Sequence, residues 1–138
     1  MQPDSISGFR EIEHTADWEL EVWAPSLVDL LLQAAFGMYQ LVGAKISPGP
    51  RHIHQLRLEF IEPETLLVDF LNELLYIAES EGIIFDHFDL SIESDQLHAK
   101  LVGAPIISMG KEIKAATYHN LNIAETNHGV LANIVFDV

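Results

Sequence analysis

Apolar and charged side chains alternate over residues 9–13 (Phe9-Arg10-Glu11-Ile12-Glu13) and again over 18–23 (Trp18-Glu19-Leu20-Glu21-Val22-Trp23). A period of two is that of strands wetted on one face, so His14-Thr15-Ala16-Asp17 between them reads as a connector. At Ser26 the period changes. Ser26 suits a helix N-cap, Asp29 falls in the first turn near the positive end of the dipole, and Leu27, Leu30, Leu31, Ala34, Met38 and Leu41 recur at helical spacing. The pattern predicts a helix ending near Val42, with Gly43 as its stop. Gly37 inside it costs about 1 kcal/mol relative to alanine, a cost that close packing would justify.

Beyond the turn Ser47-Pro48-Gly49-Pro50, His54, Leu56, Leu58 and Phe60 share one face of a strand, and Gln55, Arg57 and Glu59 the other. The strongest helical stripe follows over residues 64–81: Leu66, Leu67, Phe70, Leu71, Leu74, Leu75 and Ala78, with Asp69, Asn72 and Glu73 opposite and Gly82 suited to the C′ position. Residues 85–93 and 96–102 alternate around Ser94-Asp95, which predicts an antiparallel hairpin. Residues 111–118 satisfy neither period and stay open between helix and strand. Leu121-Asn122-Ile123 and residues 130–136 read as strands joined through Asn127-His128-Gly129. This order predicts an α+β fold, a mainly antiparallel or mixed sheet with two main helices packed on it. A chain of 138 residues, 49% hydrophobic, fits one domain over 1–138, able to bury roughly 70% of its unfolded surface.

Charge narrows the function. The formal net charge is −14, and no Lys or Arg occurs between Arg57 and Lys100, a stretch rich in carboxylates. Such a surface repels a phosphate backbone, so autonomous nucleic-acid binding is not expected. A basic protein partner or bound cations fit it, as does plain solubility. The longest stretch without charge, residues 30–44, is shorter than the ~20 apolar residues that span a bilayer, and it contains Gln33, Gly37 and Gln40. No membrane span is expected. The first residues lack the basic run and apolar core of a secretory signal, and the absence of cysteine suits a reducing compartment, so the expected location is cytoplasmic.

Phosphate-cradling glycine loops, a zinc-protease helix and a nucleophile elbow are missing from the sequence. Three constellations remain. Asp17 in its connector either bonds nearby backbone N–H groups or serves as an oxygen ligand. At the other end Asp137 offers its side chain and Val138 a terminal carboxylate, adjacent anions that repel unless solvated or bridged by a hard cation such as Ca²⁺ or Mg²⁺. Asp69, Asn72 and Glu73 share one helical face, read as wet or as an acid/base pair that would need a cleft. His119 reads as a hydrogen-bonded structural residue, or as a base, and His52 and His54 stand two apart on a strand.

Four motifs in order then resemble the archease family: His14-Thr15-Ala16-Asp17; Leu67-Val68-Asp69-Phe70-Leu71-Asn72-Glu73-Leu74-Leu75-Tyr76; Glu112-Ile113-Lys114-Ala115-Ala116-Thr117-Tyr118-His119; and Phe136-Asp137-Val138. The resemblance implies a barrel-like sheet built from a duplicated strand-helix-strand-strand unit. It implies a non-enzymatic activator of the RNA-splicing ligase that joins a 3′-phosphate end to a 5′-hydroxyl, promoting its GTP-dependent guanylylation and repeated turnover in tRNA splicing and RNA repair. It also implies a divalent metal, calcium before magnesium, on Asp17, Asp137 and Val138. His14, Asp69, Asn72, Glu73, Lys114 and His119 become partner-facing or structural positions. The chain departs from the family at residues 103–111, read as a short loop with Ala104 where glutamate is common, which puts a loop contact in question. The competing readings are a chaperone or assembly factor for RNA-modifying enzymes, docking through an acidic helix face, and a metal-dependent hydrolase with His14 or His119 as base.

Overall fold

The Ser26 hydroxyl accepts the backbone N–H of Asp29 at 3.3 Å and so closes the first turn of helix α1 (Leu27–Val42), which Gly43 ends in the left-handed region at φ 63°. Helix α2 (Pro63–Glu81) begins without a side-chain cap, on a proline that gives up an N–H no helical acceptor needs, and ends at Gly82 with φ 68°. This computed structural model describes residues 6–12 and 18–138. Its strands are β1 (Gly8–Ile12), β2 (Trp18–Ala24), β3 (Lys45–Ile46), β4 (His52–Glu59), β5 (Ile83–Glu93), β6 (Gln96–Ser108), β7 (Ala115–Ala116), β8 (Ala124–Thr126) and β9 (Gly129–Asp137).

The strands form a five-stranded sheet, β1-β2-β9-β7 with β8 also on β9, and a four-stranded sheet, β3-β6-β4 with β5 also on β6. Every pairing among the described residues is antiparallel, so the α+β class stands and the sheets are antiparallel there rather than mixed. The barrel-like expectation is corrected: among the described residues β1 pairs with β2 alone and β4 and β5 with β6 alone, which leaves both sheets open. One strand-helix-strand-strand unit is complete as β4-α2-β5-β6, whereas β2-α1-β3-β4 repeats the order with strands that pair outside the unit.

Helix α1 touches β1, β2 and β9 of one sheet, β5 of the other, and α2; α2 touches β4, β5 and β7. One cluster of buried residues therefore draws on both sheets and both helices. Leu30, Leu31, Ala34, Met38, Leu66, Leu67, Phe70, Leu71 and Leu74 are wholly buried, each large side chain contributing about 1.5–3 kcal/mol by leaving water. Val68 and Ile77 join them while Leu27, Leu41, Leu75 and Ala78 are only partly covered, because each helix meets neighbours on more than one side. A Cβ at Gly37 would lie 2.6 Å from Leu20 Cδ2 and 3.0 Å from the Phe9 ring, so the glycine admits β1 and β2 against α1.

Two expected boundaries move. Strand β6 continues to Ser108, and Ala104 is buried within it rather than exposed in a short loop. Gly103 permits this: a Cβ there would sit 1.9 Å from the Ile84 carbonyl oxygen, beside the irregularity between Phe85 and His87 in β5. The expected strand at Leu121-Asn122-Ile123 is absent. The Ile123 N–H donates to Glu64 Oε2 at 3.0 Å, which takes it from any ladder, and pairing with β9 starts only at Ala124. Residues 111–118 are neither a helix nor a full strand, since only Ala115–Ala116 pairs.

Candidate functional site

Strand β9 buries Ala132, Ile134, Val135 and Phe136 and then emerges at Asp137 and Val138, both exposed. Its register with β2 sets Trp18 opposite Phe136, so the start of β2 lies beside the end of β9. Asp17 and His14 lie outside the described residues. Asp137 exposes a side-chain carboxylate there, an oxygen donor of the kind hard cations take. Among the described residues there is no group of three or more His, Asp or Glu able to hold a metal, so Asp137 would fit such an ion only with oxygen donors from outside them.

On its other side the end of β9 is held by residues 114–117. The Lys114 N–H donates to the Asp137 carbonyl at 2.8 Å, Ala115 and Ala116 register with Asp137 and Phe136, and Thr117 gives both its N–H at 3.0 Å and its hydroxyl at 2.9 Å to the Val135 carbonyl. A strand of two residues has little stability of its own. Its outer edge is covered by Asn72 of α2, whose Oδ1 accepts the Ala116 N–H at 2.8 Å and whose Nδ2 donates to the Ala116 carbonyl at 3.2 Å. The side-chain amide thus takes the place of a neighbouring strand.

Asp69, one turn earlier on α2, lies near the Tyr118 phenol. Loss of water around the phenol, then the nearby Asp69 charge and hydrogen bond, push the Tyr118 pKa above its usual value. The reading of Asp69, Asn72 and Glu73 as a wet face is corrected: all three are half-buried, and Asn72 holds the backbone of Ala116. Lys114 and His119 are exposed. His119 hydrogen-bonds Asn120 through its ring at 3.2 Å and shares a shallow cavity of about 320 Å³ with Glu19 and Asn133. His52 is exposed, while the half-buried His54 packs its ring 6.0 Å from that of Phe85. Motif reading did not single out Lys111, whose ammonium lies 4.5 Å from the centre of the Trp18 ring. That cation–π contact ties a second loop to the same end of the sheet.

These elements make a small α+β scaffold whose last strand is stapled through β7 by a side chain from a core helix. Residues 9–138 match the model of the Archease protein family, and the chain belongs to that family. Protein archease of Methanopyrus kandleri is 28% identical over 141 residues, covering 94% of this chain and 99% of the relative. Protein archease of Saccharolobus islandicus is 32% identical over 139 residues, covering 96% of this chain and 100% of its own. The crystal structure of an archease from Thermotoga maritima, described as a possible chaperone, superposes with a TM-score of 0.71 at 26% identity and covers 94% of this chain and 96% of that one. No helix among the described residues is long and apolar enough to cross a membrane.

Proposed function

We propose that this chain is a cytosolic, non-enzymatic activator of the GTP-dependent RNA-splicing ligase, acting through a cation-holding tip formed by Asp17, Asp137 and Val138. The observation that carries the reading is the family match, which spans residues 9–138 and so takes in the positions of the tip. The physical support is placement. Asp137 is exposed at the end of a strand whose preceding residue, Phe136, is wholly buried and registered with Trp18, so its carboxylate is carried on a packed base and open to solvent. Calcium, or magnesium in its place, would neutralise the adjoining carboxylates and present positive charge to the ligase's nucleotide site. The chain's own part is to hold the oxygens at fixed spacing.

The test compares stimulation of ligase turnover by the native chain, by Asp137→Asn and by a chain extended past Val138. Both variants are expected to lose stimulation; undiminished stimulation by both removes the tip from the account. Isothermal titration with Ca²⁺ and with Mg²⁺ reads the site directly. The description of the Thermotoga maritima relative as a possible chaperone favours one alternative, in which the chain keeps its partner soluble. Suppression of ligase aggregation in the absence of GTP and of any cation would select that alternative.

A further inference from the structure

We infer that Asn72 is a positioning residue for the acidic tip, transmitting the rigidity of α2 to Asp137 through the backbone of β7. This rests on the reading of Asp137 as part of a cation-holding tip. Asn72 lies on the polar side of a helix whose opposite side is anchored by the wholly buried Phe70, Leu71 and Leu74, so its amide is carried on an element packed into the core. It satisfies both backbone groups of Ala116, at 2.8 Å and 3.2 Å. Ala116 is 4% exposed, and water has little access to replace either bond.

From Ala116 the linkage passes directly to the tip. Ala116 registers with Phe136 and Ala115 with Asp137, and Lys114 N–H holds the Asp137 carbonyl at 2.8 Å. The chemistry requires a group that accepts and donates at once within one short side chain. Aspartate lacks the donor and leucine lacks both, while glutamine is longer by a methylene. Partners that orient a ligand without touching the ion commonly control its affinity.

The decisive variant is Asn72→Leu, which keeps the approximate size, adds no charge near the tip and removes both bonds. Ile77→Val serves as the control, since it weakens the buried side of the same helix and leaves the Ala116 bonds intact. Calcium affinity by isothermal titration is expected to fall by about tenfold or more in Asn72→Leu and to stay native in Ile77→Val. Native affinity in Asn72→Leu overturns the inference, as does an equal loss in both variants, which would trace to general stability. Amide exchange without any cation gives an independent reading, with the Lys114 and Thr117 N–H groups expected to exchange about tenfold faster in Asn72→Leu alone. If the native chain binds neither Ca²⁺ nor Mg²⁺, the tip reading fails by itself, and exchange then decides: faster exchange upholds the positioning of the strand end, and unchanged exchange overturns it.

Discussion

On one side of α2, Leu66, Leu67, Phe70, Leu71 and Leu74 sit wholly buried in a cluster shared by both sheets; on the other, Asn72 reaches both the N–H and the C=O of Ala116. Apolar burial is non-directional and scales with area, so the first side sets how stable the whole chain is. Hydrogen bonds are short and oriented, so the second side sets where one short segment, and with it the end of β9, is placed. The difference separates global stability from local geometry within a single helix.

The largest expected effect is on the buried side. Phe70→Ala should cost about 3–5 kcal/mol of unfolding free energy in a denaturant titration, because the aromatic volume is lost from a packed core. A loss no greater than that of a surface substitution would contradict the division. Asn72→Leu should cost less, about 1–3 kcal/mol, the penalty of leaving the Ala116 N–H and C=O unpaired. Its exchange signature should be confined to residues near β7 and the end of β9 rather than spread over both sheets. Gly37→Ala should be destabilising despite a gain of about 1 kcal/mol in helix propensity, since overpacking typically costs about 1–3 kcal/mol and the new Cβ would meet Leu20 Cδ2 at 2.6 Å. Increased stability in the same titration would show that β1 and β2 yield easily.

The smallest effect concerns pH. The folded Tyr118 pKa is raised above the usual phenol value, which is about 10 in an unfolded chain. The unfolded chain therefore loses the proton first, and the contribution of the protonated Tyr118 phenol, from its desolvation first and the Asp69 charge next, is fully present below about pH 10 and fades as pH rises through the folded value. Melting temperature measured across this alkaline range should fall less steeply in Tyr118→Phe than in the native chain. Parallel curves would contradict the raised Tyr118 value.

Helix α1 was legible because its signals are local: Ser26, Asp29 and Gly43 act within a turn of their own positions. The stripe of α2 and the hairpin of β5 and β6 are likewise written in periods that the chain carries with it. Leu121-Asn122-Ile123 misled because its partner is a carboxylate far back in the sequence, Glu64. Residues 111–118 stayed open for the same reason, since β7 exists through Asn72 on one edge and β9 on the other, and no pattern within the segment encodes either. Asp137 and Val138 were singled out from their chemistry and from the family resemblance. The staple that fixes the neighbouring backbone is tertiary and was not visible: the face carrying Asn72 resembles any solvated helix side until residues 114–118 cover it. Sheet closure lay equally beyond the pattern, because alternation specifies strand faces and not which edges meet.

The most direct test of the account is covalent loading of guanylate onto the cognate ligase from labelled GTP, with native chain, with Asp137→Asn and with no chain added. The account predicts that the native chain raises loading and that Asp137→Asn, folded to the same melting temperature, returns it to the level without chain. Equal loading in all three reactions, or full stimulation by Asp137→Asn, would contradict it.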